Sequence, residues 1–227
     1  MSTSDWILGI HTTTPVLGLA LLPVGEDLGQ GRSQCWPLDR QMAAQLHPCL
    51  REFLASQDQP HIGAVAVAVG PGSFTGSRLG VSVARVLGQQ LQVPVFGYSA
   101  LAAIARQVWH LEGSPADPLT VAVQMDAKRQ EWYGGIYRVE QQQISVLWPE
   151  QVGSLADWEA ALKNWPEAKP VDAAAFANPV PVVALAELAR IAFSAGLHPS
   201  WQEVLPTYGR KPPIDPQVLN RSAPLPR

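Results

Sequence analysis

The segment AVAVAVGPGSFTGSRLGVSVARVLG, residues 64–88, constrains the fold more than any other stretch. Its apolar run, 64–69, reads as a central strand buried on both faces. The run enters a turn carrying Gly70, Gly72 and Gly76, and a patterned helix then continues to about residue 91. Strand, glycine turn and helix is the layout of a phosphate-binding loop, but each known form of that loop fails here. A Walker A loop needs Lys and then Ser or Thr, whereas Gly76 is followed by Ser77 and Arg78. The dinucleotide fingerprint G-x-G-x-x-G needs its third glycine one residue earlier. A nucleophile elbow, G-x-S-x-G, fails because Pro71 and Thr75 flank Ser73 at the glycine positions. Free N–H groups at a helix start can attract an anion, but Ser73 or Thr75 reads more simply as the N-cap. Gly70, Gly72, Ser73 and Thr75 are therefore expected to be turn and capping residues.

The helix after the turn carries a stripe of small residues four apart: Gly76, Gly80, Ala84 and Gly88. Glycine inside a helix costs about 0.8–1 kcal/mol relative to alanine, so the stripe implies close approach of another backbone. Two readings stay open: packing on the chain's own sheet, or helix-on-helix contact with a partner.

Strands are expected at 6–12 and 16–22, paired as a hairpin across Thr13–Pro15, and at 33–38. Residues 41–57 have helical spacing through Met42, Leu46, Cys49, Leu50, Phe53 and Leu54, with Pro48 expected to start or kink the helix. A strand at 93–99 and a helix at 100–109 complete an order β-β-β-α-β-α. Residues 111–118, rich in Gly, Ser, Pro and Asp, read as a junction. Strands beginning near 120, 131 and 143 and a helix at 154–165 then repeat β-β-β-α. Beyond 165 the repeat degrades to a very short strand at most, followed by a helix at 182–196 and an irregular tail. The expected fold is α/β, actin-like or Hsp70-like, with two related βββαβα lobes, the second degenerate. The expected divisions are 1–110, 111–205, and a basic Pro-rich tail, 206–227. The tail carries Arg210, Lys211, Arg221 and Arg227 against Asp215. Such a cluster reads as a solvated face, with a minor contact to tRNA or an acidic partner as the functional alternative.

Composition narrows the class. The chain has 227 residues, 47% hydrophobic and 15% charged, so it can bury a sizeable core. Its net charge of −3 lacks the basic excess of a stand-alone nucleic-acid binder. Cys35 and Cys49 form no metal-ligand spacing, and the five histidines are scattered, so no metal site is expected. The start MSTSDWILGIH has no signal-peptide pattern and no apolar run reaches a membrane span, so a cytoplasmic location is expected. In phosphotransferases of the actin type, the first hairpin carries a metal-anchoring Asp; here that position is His11, followed by Thr12, Thr13 and Thr14. A neutral imidazole does not replace a carboxylate on Mg²⁺. Asp126 falls where a second phosphate loop starts, but no glycine follows closely. No catalytic residue is assigned.

GPGSFTGSRLG (70–80), together with ILGIHTTTPVLGLAL, VFGYSAL, MDAKRQEWY and PTYGR, resembles the TsaB (YeaZ) family. The likeness is good over 6–140 and thinner afterwards. It implies a non-catalytic partner of TsaD in making threonylcarbamoyladenosine on tRNA, beside the anticodon. It implies contact with TsaD through first-lobe helices, and the residues expected there are Leu46, Leu50, Phe53, Leu54, Gly76, Gly80, Ala84 and Gly88. TsaE docks on that pair, and a homodimer forms through the same surface when TsaD is absent. tRNA is met indirectly, through the complex. No cofactor is implied for this chain alone; ATP or ADP and a divalent metal belong to the complex. The sequence departs from the family at His11, usually Asp, at QMAAQ (41–45), where a His-Ser/Thr pair is usual, and in the shortened region 166–181. A free-standing actin-fold ATPase or kinase, and a peptidase-like relative of TsaD, are the alternatives.

Overall fold

A computed structural model describes residues 5–25, 30–55, 60–128 and 131–207. The first half builds a five-stranded sheet from β1 (Trp6–His11), β2 (Val16–Pro23), β3 (Arg32–Pro37), β4 (Ile62–Gly70) and β5 (Val95–Ser99), in the order β3-β2-β1-β4-β5. The first three strands pair antiparallel, and β1, β4 and β5 run parallel. Parallel neighbours need crossovers, here α1 (Met42–Ala55) and α2 (Phe74–Leu91). All of β2 is buried and nearly all of β4, as expected of strands covered on both sides. Leu46, Leu50 and Phe53 of α1, with Val81 and Ala84 of α2, close one face over Leu8, Ile10, Leu19, Val65 and Val67. Pro48 lies inside α1, which runs unbroken from Met42 to Ala55 rather than starting there.

After α3 (Ala100–Leu111), the second half repeats the strand order on a smaller scale. Strands β6 (Leu119–Asp126), β7 (Glu131–Glu140), β8 (Gln143–Ser154) and β9 (Lys169–Asp172) form a sheet of order β8-β7-β6-β9. This matches β3-β2-β1-β4 position for position, with β6 and β9 parallel. The crossover helix α4 (Leu155–Leu162) is short, and β9 has four residues. A single turn of 3-10 helix, Ala173–Phe176, follows β9 where the first half has its glycine turn and long helix.

Packing does not follow the division of the chain at 110. Helix α3 leans on the second sheet, placing Leu101, Ile104 and Val108 against Val121, Val123 and Val139. The last described helix, α5 (Val182–Ser194), returns to the first sheet, where Val182, Leu185 and Ala186 meet Ile7, Ala20, Ala64 and Ala66. A Cβ at Gly18 would lie 2.4 Å from Val180 Cγ2, so the strand keeps glycine where this return crosses it. The layers run α1/α2, first sheet, α3/α5, second sheet, α4. Of the expected tail only 206–207 is described: the Thr207 N–H donates to the Val69 carbonyl at 2.8 Å. The remainder, 208–227, with its cationic residues, lies outside the described residues.

Candidate functional site: the glycine turn and the first-lobe helices

The glycine turn is clasped onto the β1–β2 turn. Gly70 and Gly72 have φ of +128° and +145°, backbone that side-chain-bearing residues rarely adopt. The Ser73 N–H donates to the Thr13 carbonyl at 2.7 Å, and the Thr12 hydroxyl donates to the Gly76 carbonyl at 2.8 Å. A Cβ at Gly76 would sit 1.9 Å from the Thr12 carbonyl oxygen, and one at Gly72 would sit 2.2 Å from that of Thr13. These glycines therefore let two chain segments touch, with no space left between them. Ser73 is the N-cap, accepting from the Gly76 N–H at 3.1 Å. Thr75 is an exposed second residue of α2 rather than the cap.

The small-residue stripe turns inward. A Cβ at Gly80 would lie 2.2 Å from the Thr12 hydroxyl, and one at Gly88 would lie 2.3 Å from Val95 Cγ2. Ala84 is fully buried. Leu46, Leu50 and Phe53 are buried in the same core and Leu54 packs partly against it. This corrects the expectation that Gly76, Gly80, Ala84, Gly88 and these four apolar residues present a free docking surface. A crossover helix lies flat on its own sheet, so its small residues fall where the strand backbones come closest. The exposed sides of the two helices carry other residues: Ala43, Ala44, His47 and Arg51 on α1, and Phe74, Ser82 and Val86 on α2. Phe74 and Val86 are each 57% exposed, and the Arg78 guanidinium lies 3.8 Å from the centre of the Phe74 ring.

Beside the clasp lies a cleft of about 360 Å³ bordered by Thr12, Thr14, Asp39, Arg40, Ser73 and Thr75. The fold class implies a nucleotide and Mg²⁺ near this hairpin, and position 11, where the metal-anchoring carboxylate would stand, does not fit that metal. His11 is 1% exposed, and Ile7 and Gly9, which alternate with it on β1, face α5. Its Nε2 is 3.4 Å from the Thr13 hydroxyl, while Nδ1 has no hydrogen-bond partner among the described residues. Burial lowers its pKa from 6.5 to about 4, so the ring is neutral at neutral pH and supplies no oxygen ligand. Asp126 is exposed and satisfied locally, accepting from the Lys128 N–H at 2.7 Å and pairing with the Lys128 ammonium at 3.1 Å. Among the described residues no three His, Cys, Asp or Glu side chains group as a metal site. No described helix is long and apolar enough to cross a membrane.

Two clusters carried no readable sequence signal. One joins Arg106, His110 and Glu187 between α3 and α5; the other gathers Trp132, Trp148 and Trp158 on the second sheet. Glu187 lies 81 residues from Arg106 and 77 from His110, and the three tryptophans come from three different elements, so no short motif links either set.

A five-stranded sheet of order 3-2-1-4-5, echoed by a smaller sheet with the same opening order and separated from it by two helices, defines a two-lobed actin-like protein. Residues 38–201 match the family model described as TsaD: tRNA N6-adenosine threonylcarbamoyltransferase. The chain belongs to the TsaB (YeaZ) family within this class of folds. It is 30% identical over 160 residues to the tRNA threonylcarbamoyladenosine biosynthesis protein TsaB of Bacillus subtilis, covering 70% of this chain and 66% of that one. It is 29% identical over 155 residues to the TsaB of Escherichia coli, covering 64% of each. The matched part thus spans just under two thirds of those relatives' own length. YeaZ from Pseudomonas aeruginosa superposes with a TM-score of 0.70 at 27% identity, covering 90% of this chain and 99% of that one.

Proposed function

We propose that this chain is a non-catalytic partner subunit for TsaD in threonylcarbamoyl transfer to adenosine of tRNA, beside the anticodon. One observation carries the reading: the position that would anchor a metal is His11, buried, neutral and turned into the protein. Membership of the TsaB family supports the pathway. The chain offers exposed helix surfaces on α1 and α2, where a partner can dock. Docking uses those outward surfaces, with the inward stripe holding α2 in place behind them. TsaE binds the resulting pair, a second copy of this chain takes the TsaD position when TsaD is absent, and tRNA is met through the complex. ATP or ADP and a divalent metal act in the complex and not on this chain alone.

The test is co-purification with TsaD of the same organism, followed by ATP turnover and tRNA modification assays of each protein alone and mixed with TsaE. Stable association and activity only in the mixture support the reading. Turnover by the isolated chain that survives removal of contaminants and depends on Asp126 would establish a free-standing ATPase or kinase instead.

A further inference from the structure

The outer face of the second sheet holds an aromatic pocket that the docking reading does not use. It lies at the opposite end of the layered molecule from α1 and α2. Helix α4 has only eight residues and leaves part of that face uncovered. Its Trp158 is 3% exposed, and the indole N–H donates to Gln124 Oε1 at 2.6 Å, which fixes the ring. The ring lies over Gly134, where a Cβ would come within 2.4 Å of the indole. Trp148 of β8 stands 5.5 Å from Trp158, centre to centre, at 55° to it. Trp132 of β7, paired across the ladder with Gly153, adds a third indole to the lining. The pocket has a volume of about 290 Å³, and its polar side chains are Gln151, Ser154 and Asp157. Asp157 Oδ2 accepts from the Ser154 hydroxyl at 2.6 Å and the Ser154 N–H at 3.1 Å, so the carboxylate is held in place and stays ionised.

The chemistry of the lining selects a ligand. None of the described lining residues is Lys, Arg or His, so none of them would compensate a phosphate or carboxylate. Indole faces and a carboxylate both attract positive charge. Two indoles inclined at 55° form a corner, which suits a rounded group better than a flat ring sandwiched in a slot. We propose that this pocket binds a quaternary ammonium group, carried by a choline-type small molecule or by a trimethylated lysine side chain.

The test follows the indole N–H signals by NMR while choline is added to the full-length protein. Saturable shifts at Trp132, Trp148 and Trp158 are expected. The uncharged isostere 3,3-dimethylbutan-1-ol should bind at least about tenfold more weakly, because it has the shape without the charge. Trp132→Ala should lower choline affinity by at least about tenfold. Asp157→Asn, which keeps a capping side chain, should also weaken it and serves if Trp132→Ala does not fold. A peptide bearing trimethyllysine that binds more tightly than choline supports the side-chain source, and equal or weaker binding supports the small molecule. Equal affinity for choline and the isostere overturns the proposal in favour of a plain apolar cavity. Absence of a saturable shift with choline and peptide alike also overturns it.

Discussion

Arg106 on α3 and Glu187 on α5 form a two-pronged ion pair, Nη2 to Oε1 at 2.8 Å and Nε to Oε2 at 3.1 Å, between side chains 1% and 9% exposed. The same guanidinium donates to the backbone carbonyls of Glu140 at 2.5 Å and Gln141 at 2.9 Å, at the turn between β7 and β8. It also lies 4.2 Å from the centre of the Trp109 ring, and Glu187 holds His110 from the other side. One arginine thus ties a helix of the first half, the helix that returns from the second, and the second sheet.

Breaking that pair exposes its energetics. Glu187→Gln should destabilise the chain by about 3–5 kcal/mol, because it leaves the Arg106 charge buried without its counter-charge. Arg106→Met combined with Glu187→Met should cost less than the sum of the single changes, read by urea melts in a double-mutant cycle. Burial alone would raise the Glu187 carboxyl; hydrogen bonds from His110 and Arg106 and their charges outweigh it and hold the pKa at about 2. A depressed carboxyl stabilises the fold above its ordinary value of 4.5, and that stability is lost as pH falls toward 2. Glu187→Gln should flatten the stability profile in this window.

His11 acts in a different window. Its folded pKa of about 4 lies below its ordinary 6.5, so the unfolded chain binds the proton more readily. The neutral buried ring is fully tolerated above pH 6.5, and stability falls between 6.5 and 4 by an amount on the order of 3 kcal/mol. His11→Asn should remove that slope. A slope unchanged in the variant would assign the acid sensitivity to another group.

The clasp predicts a ranking of glycine substitutions. Gly76→Ala drives a methyl into the Thr12 backbone carbonyl and should fall at the upper end of the about 1–3 kcal/mol that overpacking costs. Gly80→Ala meets the end of the Thr12 side chain rather than backbone; the hydroxyl can turn aside only by giving up its bond to the Gly76 carbonyl, so the change should cost about 1 kcal/mol, less than Gly76→Ala. Ala84→Leu should destabilise the isolated chain by a similar amount, since Ala84 faces its own core. Thermal melts of the three variants read the order directly.

Val86 separates folding from docking. It is 57% exposed on α2, so Val86→Glu should leave stability within about 0.5 kcal/mol of the parent. If α2 docks on TsaD by its outward side, the same change should weaken the pair by about tenfold or more. Unaltered TsaD affinity would move the docking surface off this part of α2.

Periodicity and turn chemistry alone were enough to place most elements. The run 64–69, the glycine turn and the helix to residue 91 are local patterns, and β4 and α2 follow them. The β-β-β-α order of both halves, and the weakness of the second after 165, were also legible, because strand and helix periods are properties of neighbouring residues. Which way the stripe Gly76–Gly80–Ala84–Gly88 faces was not legible. A run of small residues says that something comes close, and only the fold decides that it is Thr12, sixty-four residues from Gly76, rather than a partner. The neutral state of His11 depends on what surrounds its ring, which no spacing in the sequence reports. Arg106 and Glu187 lie 81 residues apart, and Trp132, Trp148 and Trp158 come from two strands and a helix. Those relationships arise only when α5 crosses back to the first sheet and α4 folds over the second, because burial and charge pairing are long-range consequences of packing.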